Sequence, residues 1–236
     1  MSLSRLDLSR VRAVTLDLDD TLWPVWPTIE RAEAALRAWL AERAPATARL
    51  AADSHMQRRA REAVLQKHPE IAHDLGQLRR EAIRHLLSEA REDVALAEPA
   101  YEIFYAARQR VDLFPDALAT LDLLSTHFPV VALTNGNADV HHIGIGHFFH
   151  GAINPAKVGF SKPDVRIFHA GAAAAGVEPG AVLHIGDDAH LDGAGALAAG
   201  MQTVWVNRHD ERWPTELPQA PHAEVASLTA LCTLLG

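Results

Sequence analysis

The 236-residue sequence contains a single cysteine, Cys232. One sulfur excludes an intrachain disulfide and a cysteine-based zinc site, which favours a reducing compartment. Long apolar runs are also missing, since no segment approaches the roughly eighteen apolar residues that span a bilayer. The N-terminal sequence MSLSRLDLSRVRAV has no uninterrupted apolar stretch like that of a signal peptide. We therefore expect a soluble, unprocessed, cytoplasmic protein with no membrane partner.

Basic clusters are equally scarce. Lysine and arginine run no further than pairs such as Arg58-Arg59 and Arg79-Arg80, and the formal net charge is -8. This distribution of charge does not indicate binding to nucleic acid or to an anionic membrane surface. The length allows one large core, or a core with a smaller companion domain.

Four short apolar segments, each followed by turn or polar residues, predict buried strands. They are Ala13–Leu18, Val130–Leu133, Ala181–Ile185 and Thr203–Val206. Helical patterns follow at Ala117–Ser125, Val165–Ala175 and Asp192–Ala199. This alternation predicts an α/β fold with a parallel sheet, in which ligands bind beyond the carboxyl ends of the strands.

The stretch from about Thr28 to Arg110 has a different pattern, with amphipathic helices and no convincing strand. One apolar face runs from Leu75 to Leu87 and another from Leu96 to Ala107. We therefore predict an all-helical domain over residues 25–110, inserted into a core of residues 1–24 and 111–236.

Asp17 and Asp19 are two positions apart in the segment DLDDT, at the end of the first predicted strand. If the chain is still extended there, the period of two places both carboxylates on one side. One ionised carboxylate can attack phosphorus or hold a metal, while the other carries a proton for a leaving oxygen. Alone, the segment also fits an acidic exit from a strand.

Three further segments carry polar groups suited to a phosphoryl site. Thr134-Asn135-Gly136 ends the second predicted strand with a hydroxyl donor and consecutive amides. Lys162, in the segment SKPD, offers a cation before a predicted helix. Asp187, Asp188 and Asp192, in the segment GDDAHLD, supply the oxygen ligands that magnesium prefers. An Asn-Gly turn, a solvated lysine and an acidic helix N-terminus are the alternative explanations.

Together, and in this order, the segments DLDDT, TNG, SKPD and GDDAHLD resemble the four motifs of the haloacid dehalogenase-like hydrolase superfamily. The resemblance covers essentially the whole chain and implies a Rossmann-like core with a helical cap. It implies that Asp17 attacks phosphorus and that Asp19 acts as general acid and then base. Phosphoryl binding would fall to Thr134, Asn135 and Lys162.

The same resemblance implies a Mg²⁺ cofactor bound by Asp17, Asp187 and the backbone carbonyl of Asp19. Asp188 and Asp192 would support this site through water or Lys162. The helical insertion is similar to the cap of the subgroup that acts on small molecules. The implied activity is hydrolysis of a small-molecule phosphate monoester through an aspartyl-phosphate intermediate.

A finer resemblance lies in the runs PEIAHDLGQLRREAI, TNGNA and LHIGDDAHLDGAGALAAGMQTVWVN. These look like the bacterial flavin mononucleotide and 5-amino-6-(5-phospho-D-ribitylamino)uracil phosphatases. The segment TLWP, from Thr21 to Pro24, is also similar to the small magnesium-dependent phosphatases, which lack a cap of this size.

Two other functions compete with this interpretation. A 2-haloacid dehalogenase on the same fold would use the same aspartate and no metal, but Asp19 argues against it because a halide needs no proton. A non-catalytic binding protein on a hydrolase core is opposed by the intact set of chemical positions.

Five aromatic residues could line a pocket that binds a planar ring of the substrate: Trp23, Trp26, Tyr101, Phe104 and Tyr105. Of these, Trp26, Tyr101 and Tyr105 are the candidates for stacking on the ring. Aromatic residues at helical spacing are also common in cores. The fourteen histidines match no zinc-binding spacing, so we assign them no role.

Overall fold

Residues 6–235 are described by a computed structural model, in which the chain divides into two units. One unit comprises the residues up to Pro24 together with those from Asp112 onwards. The other comprises Val25–Val111. The ends of the predicted core domain, residues 1 and 236, lie outside the described residues.

The first unit is built on a six-stranded sheet in the order β3-β2-β1-β4-β5-β6, with every neighbouring pair parallel. The strands are β1 Ala13–Leu16, β2 Val130–Leu133, β3 Gly151–Ile153, β4 Val182–Gly186, β5 Gln202–Val206 and β6 Ala223–Val225. All residues of β1, β2, β4 and β5 are buried, as expected for strands covered by helices on both faces. The predicted α/β fold with a parallel sheet is confirmed.

The structure adds two strands to the four predicted ones. Both β3 and β6 are three residues long and lie at the edges of the sheet, and β3 is only partly buried. Such short edge strands lack the continuous apolar run that marks a central strand. The structure also ends β1 at Leu16, two residues before the predicted end at Leu18. Asp17 therefore lies just beyond the regular strand.

The helices of the first unit lie between consecutive strands, except for the last helix, which follows β6. They are α6 Ala117–His127, α7 Val140–Ile143, α8 Pro155–Val158, α9 Val165–Ala174, α10 Gly195–Ala198 and α11 Leu228–Leu235, with 3₁₀ turns at Leu8–Arg10, Gly146–Phe148 and Pro179–Ala181. A π-helix, Ala189–Ala194, precedes α10, so the helical segment begins three residues before the predicted start at Asp192. Single π turns of this kind are frequent at functional sites.

Every secondary-structure element of the second unit is a helix, as predicted. The helices are α1 Val25–Arg43, α2 Pro45–Ala51, α3 Ser54–Lys67, α4 Leu75–Glu89 and α5 Ala97–Arg108, with 3₁₀ turns at Pro69–Ile71 and Val94–Leu96. Their apolar faces form a core around Leu36, Leu40, Leu87 and Phe104. The helices therefore bury most of each apolar face that the sequence indicated. The exception is Leu75, which the sequence placed on such a face but which is 47% exposed at the start of α4.

The chain leaves the first unit through a closed turn. Within it, the amide of Leu22 donates to the carbonyl of Leu18 at 2.8 Å, and the amide of Asp20 donates to that of Trp23 at 2.7 Å. Asp20 has a φ of 60°, a left-handed conformation that a tight turn demands. Where the chain returns, the amide of Phe114 donates to the carbonyl of Leu22 at 2.8 Å. The outgoing and returning segments are therefore joined inside the first unit.

We predict that Leu87→Ala lowers the free energy of unfolding by about 2 to 5 kcal/mol, because it leaves a cavity in the helical core. Leu87 is fully buried in α4. The measurement is urea denaturation of the full chain followed by circular dichroism.

The matched control is Leu75→Ala at the start of the same helix, where the side chain is 47% exposed. This change should cost less than about 1 kcal/mol. Equal losses for the two variants would contradict the assignment of Leu87 to the core.

Candidate active site

The polar residues of the motifs meet at the carboxyl ends of β1 and β4. These adjacent strands lie at the point where the strand order changes direction, the usual ligand site of an open parallel sheet. The amide of Asp17 donates to the carbonyl of Ile185 at 2.9 Å, which extends the pairing of the two strands by one residue. Asp17 and Asp187 thus emerge side by side.

Asp17 is 5% exposed, and both oxygens of its carboxylate have a neighbour. Lys162 Nζ donates to Oδ1 at 2.5 Å, and the hydroxyl of Thr21 lies 3.2 Å from Oδ2. Burial raises the pKa of Asp17 well above its usual value, although Lys162 acts in the opposite direction. The carboxylate therefore needs a compensating positive charge to stay ionised.

Lys162 supplies part of this charge. Its side chain is 3% exposed, and Nζ donates to Asp17 and also to Asp192 Oδ1 at 2.6 Å. Burial by itself would lower the pKa of Lys162, but the carboxylates of Asp17 and Asp192 raise it above the usual value. The lysine is therefore charged, and it links the predicted nucleophile to the π-helix.

Asn135 fixes the backbone of Lys162. Its amide nitrogen donates to the carbonyl of Lys162 at 3.0 Å, and its amide oxygen accepts from the backbone amide of the same residue at 2.7 Å. The Asn135 side chain is thus committed to the lysine. The neighbouring Thr134 is buried, and its hydroxyl accepts from the amide of Gly136 at 2.9 Å.

Asp192 is the best satisfied carboxylate of the site. Oδ1 accepts from Lys162 and from His184 Nε2 at 3.0 Å, while Oδ2 accepts from the amide of Asp188 at 3.1 Å. Burial opposes ionisation, but Lys162 and His184 together lower the pKa of Asp192 to about 2. Asp188 in turn starts the π-helix, since its Oδ1 accepts from the amides of His190 and Leu191, both at 2.8 Å.

Asp187 is the least compensated carboxylate. Burial and the nearby Asp192 raise the pKa of Asp187 to about 7, and the hydroxyl of Thr21 donates to its Oδ1 at 2.9 Å. The indole of Trp205 holds the backbone by donating to the Asp187 carbonyl at 2.6 Å. A cavity of about 320 Å³ opens beside Asp187 and is lined in part by Asp20, Asp188 and Arg208.

A divalent cation fits this donor set. Ligand oxygens of Asp17, Asp187 and Asp192 lie within 4.8 Å of one another, and no other such group of histidines, cysteines or carboxylates occurs among residues 6–235. Carboxylate oxygens are hard ligands of the kind that Mg²⁺ prefers. Three carboxylates and the single positive charge of Lys162 leave the cluster with a negative net charge when the carboxylates are ionised. Asp192 already accepts three hydrogen bonds, whereas Asp17 accepts two and Asp187 accepts one at its carboxylate, so Asp17 and Asp187 are the better candidates for ligands.

Asp19 lies in the turn after β1. Its Oδ1 accepts from Trp23 Nε1 at 2.8 Å, and Trp23 is fully buried in the first unit. The suggestion that Trp23 contacts a substrate ring is therefore wrong, because its ring is enclosed and its polar edge orients Asp19. The role of Trp23 was not visible in the sequence, where TLWP gave only a family resemblance.

The three aromatic candidates of the helical unit differ in their surroundings. Trp26 is 70% exposed, whereas Tyr101 is buried in the helical core. Tyr101 stacks on Tyr105 with ring centroids 5.8 Å apart, and the guanidinium of Arg80 lies 4.0 Å from the centre of its ring. Tyr101 therefore has a packing role, and its predicted contact with substrate stays untested, as do those of Trp26 and Tyr105.

The residues of the four motifs fit a known family. A family model described as haloacid dehalogenase-like hydrolase matches residues 11–200. The chain belongs to the haloacid dehalogenase-like hydrolases. No helix among the described residues of this hydrolase is long and apolar enough to cross a membrane.

Two phosphatases are among the relatives of this hydrolase. The 5-amino-6-(5-phospho-D-ribitylamino)uracil phosphatase YigB of Escherichia coli (strain K12) is 34% identical over 236 residues, which cover 97% of this chain and 98% of that protein. The phosphoserine phosphatase of Thermus thermophilus is 33% identical over 139 residues, or 56% of each chain. Family and relatives together make the chain a phosphoric monoester hydrolase.

A solved structure is similarly close. The 2-haloacid dehalogenase from Pseudomonas syringae pv. Tomato DC3000 superimposes with a TM-score of 0.89 at 36% identity, covering 95% of this chain and 98% of that one. The fold is thus that of the family, including its helical unit.

We predict that Mg²⁺ affinity rises about tenfold between pH 6 and pH 8. With a pKa of about 7, Asp187 is mostly protonated at pH 6, so a cation must displace its proton, whereas at pH 8 the carboxylate is already ionised. Isothermal titration calorimetry of the substrate-free protein at the two pH values gives both affinities.

The control is Asp187→Asn, which removes the titrating group and should weaken binding at both pH values with a smaller pH dependence. An affinity that is the same at pH 6 and pH 8 in the unchanged protein would contradict a ligand role for Asp187.

Proposed function

We propose that the chain is a Mg²⁺-dependent phosphatase that hydrolyses a small-molecule phosphate monoester through an aspartyl-phosphate on Asp17. The observation that carries the proposal is the position of the buried Asp17 and Lys162 beside the half-buried Asp187, where β1 and β4 end. Two carboxylates and one ammonium group would receive a dianionic phosphoryl group only if further positive charge is present. Bound Mg²⁺ would supply that charge and polarise the phosphoryl oxygens.

Asp17 is the nucleophile of the first step. One of its oxygens forms a bond to phosphorus while the bond between phosphorus and the leaving oxygen breaks. The ammonium group of Lys162 has three N–H donors, of which two bond to Asp17 and Asp192, and the third would bind a phosphoryl oxygen. Thr134 and the adjacent backbone amides complete the phosphoryl site.

Asp19 acts as the general acid and then as the general base. In its protonated form it donates to the departing alkoxide, and the resulting carboxylate then takes a proton from the water that attacks the aspartyl-phosphate. This second displacement releases inorganic phosphate and restores Asp17. The bond from Trp23 holds one Asp19 oxygen and so orients its carboxylate.

The proposed substrate is a ring-bearing ester such as flavin mononucleotide or a riboflavin-pathway phosphate. Support comes from YigB, whose name states such an activity and which matches nearly the whole chain. The helical unit, Val25–Val111, carries none of the four motifs and would act as a cap that selects the substrate. Trp26 and Tyr105 are the proposed ring contacts, and Tyr101 supports Tyr105 from the core.

Dehalogenation is the second candidate, because a close solved structure is described as a 2-haloacid dehalogenase. In that reaction Asp17 would displace halide from carbon, and neither a proton donor nor a metal would be needed. Asp19 and Asp187 would then have no chemical role. Their presence favours the phosphatase.

We predict that Asp17→Asn reduces phosphatase turnover by more than about a thousandfold, because an amide cannot form the phosphoryl ester. The assay measures phosphate release with Mg²⁺ from flavin mononucleotide, pyridoxal phosphate, sugar phosphates and nucleotides. Chloride release from 2-chloropropionate is measured in parallel, with and without a chelator.

The control is Asp122→Asn, an exposed carboxylate on α6 that should change nothing. If the protein releases chloride in excess chelator and releases no phosphate, its activity is dehalogenation and the phosphatase proposal is wrong. Preference for simple sugar phosphates over flavin mononucleotide would remove only the flavin assignment.

We predict that Asp19→Ala lowers the rate of aspartyl-phosphate formation from alkyl phosphates by about a hundredfold. The rate from aryl phosphates should fall much less, because an aryl oxide leaves without being protonated. Single-turnover formation of the aspartyl-phosphate is compared for an alkyl and an aryl phosphate. Equal losses for both would contradict the general-acid role of Asp19.

A further inference from the structure

Among residues 6–235, His184 is the one fully buried histidine, and it lies within the otherwise apolar strand β4. Its Nε2 lies 3.0 Å from Asp192 Oδ1, and its Nδ1 lies 2.9 Å from the hydroxyl of Thr15. The edge of Phe168 packs against the ring, with centroids 5.1 Å apart. The imidazole is thus fixed in orientation on three sides.

The partners of the ring define its tautomer. The carboxylate of Asp192 can only accept, so Nε2 carries the hydrogen and donates it. Burial lowers the pKa of His184, and the neutral ring then accepts at Nδ1 from the hydroxyl of Thr15. Hydrogen bonds therefore run in one direction, from Thr15 through His184 to Asp192.

The sheet itself supplies this arrangement. Thr15 and His184 are register partners on the adjacent parallel strands β1 and β4. The next register partner of His184, across β5, is Thr203, whose buried hydroxyl has no hydrogen-bond partner in the described chain. Two threonines thus flank the histidine, and one of them holds the ring.

We propose that His184, oriented by Thr15, is a positioning residue that fixes Asp192 and, through it, the ammonium group of Lys162. Lys162 is shared between Asp192 and Asp17. If Asp192 loses its bond to His184, its carboxylate is no longer fixed and depends more on Lys162, so the ammonium group is no longer held in its position beside Asp17. The kinetic side of the proposal rests on the phosphatase function, but the ring tautomer does not.

The kinetic test uses para-nitrophenyl phosphate at saturating Mg²⁺. His184→Leu is expected to lower kcat about 10- to 100-fold, the usual range for residues that orient a catalytic group. His184→Gln, which retains an N–H donor, should recover most of the loss. Thr15→Val should cost several-fold, while the matched control Thr203→Val should leave kcat unchanged.

A double change separates positioning from general stability. If His184 acts through Asp192, then adding His184→Leu to Asp192→Asn should cost little beyond Asp192→Asn alone. The proposal is overturned if the kcat losses of the two single variants multiply in the double variant. It is also overturned if Thr15→Val and Thr203→Val lower kcat equally. If His184→Leu does not fold, the glutamine variant and the two threonine variants still decide.

The ring tautomer is read without substrate, from the ¹⁵N chemical shifts of histidine, with His184→Gln identifying the signal. A neutral ring protonated at Nε2 is expected in the native protein, and Thr15→Val should shift the Nδ1 resonance while Thr203→Val does not. A ring protonated at Nδ1 would overturn the proposal. Absence of any phosphatase activity alongside the expected tautomer would instead overturn the proposed function.

Discussion

The buried ammonium group of Lys162 is the interaction on which the site depends. It lies between Asp17 and Asp192, two carboxylates that burial alone would keep protonated. Removing one partner of such a buried network leaves an uncompensated charge, which is far more costly than losing an exposed ion pair. The surrounding hydrogen bonds with Asn135, His184 and the amide of Asp188 hold this group and its partners in place.

The sequence predicted the sheet because its central strands are buried on both faces and read as continuous apolar runs. The order of motifs also predicted that Asp17, Lys162 and Asp187 would meet, since parallel strands end at one edge. The edge strands β3 and β6 escaped notice because three residues carry no periodicity. The orienting contacts of Trp23 and Trp205 depend on the path of the chain between elements, which no local pattern encodes.

For His184 the sequence contained a signal from which no role was predicted. A histidine amid the apolar residues of β4 conflicts with burial, and such a conflict marks either a satisfied polar group or a functional one. Here the group is satisfied by Thr15 and Asp192, which lie 169 and 8 residues away along the chain. Only the register of β1 and β4 brings Thr15 to the ring, so the sequence could raise the question without answering it.

The closed turn before Pro24 has a consequence for how such proteins diversify. Because Phe114 pairs with Leu22, the chain returns to the first unit next to the point at which it departed. The ends of the helical excursion are therefore held together by the core itself, and the entropy of closing it grows only slowly with its length. A larger, smaller or unrelated insertion could be accommodated between the same two residues without disturbing the nucleophile, which makes the boundary a natural place for the exchange of modules in evolution and in engineering.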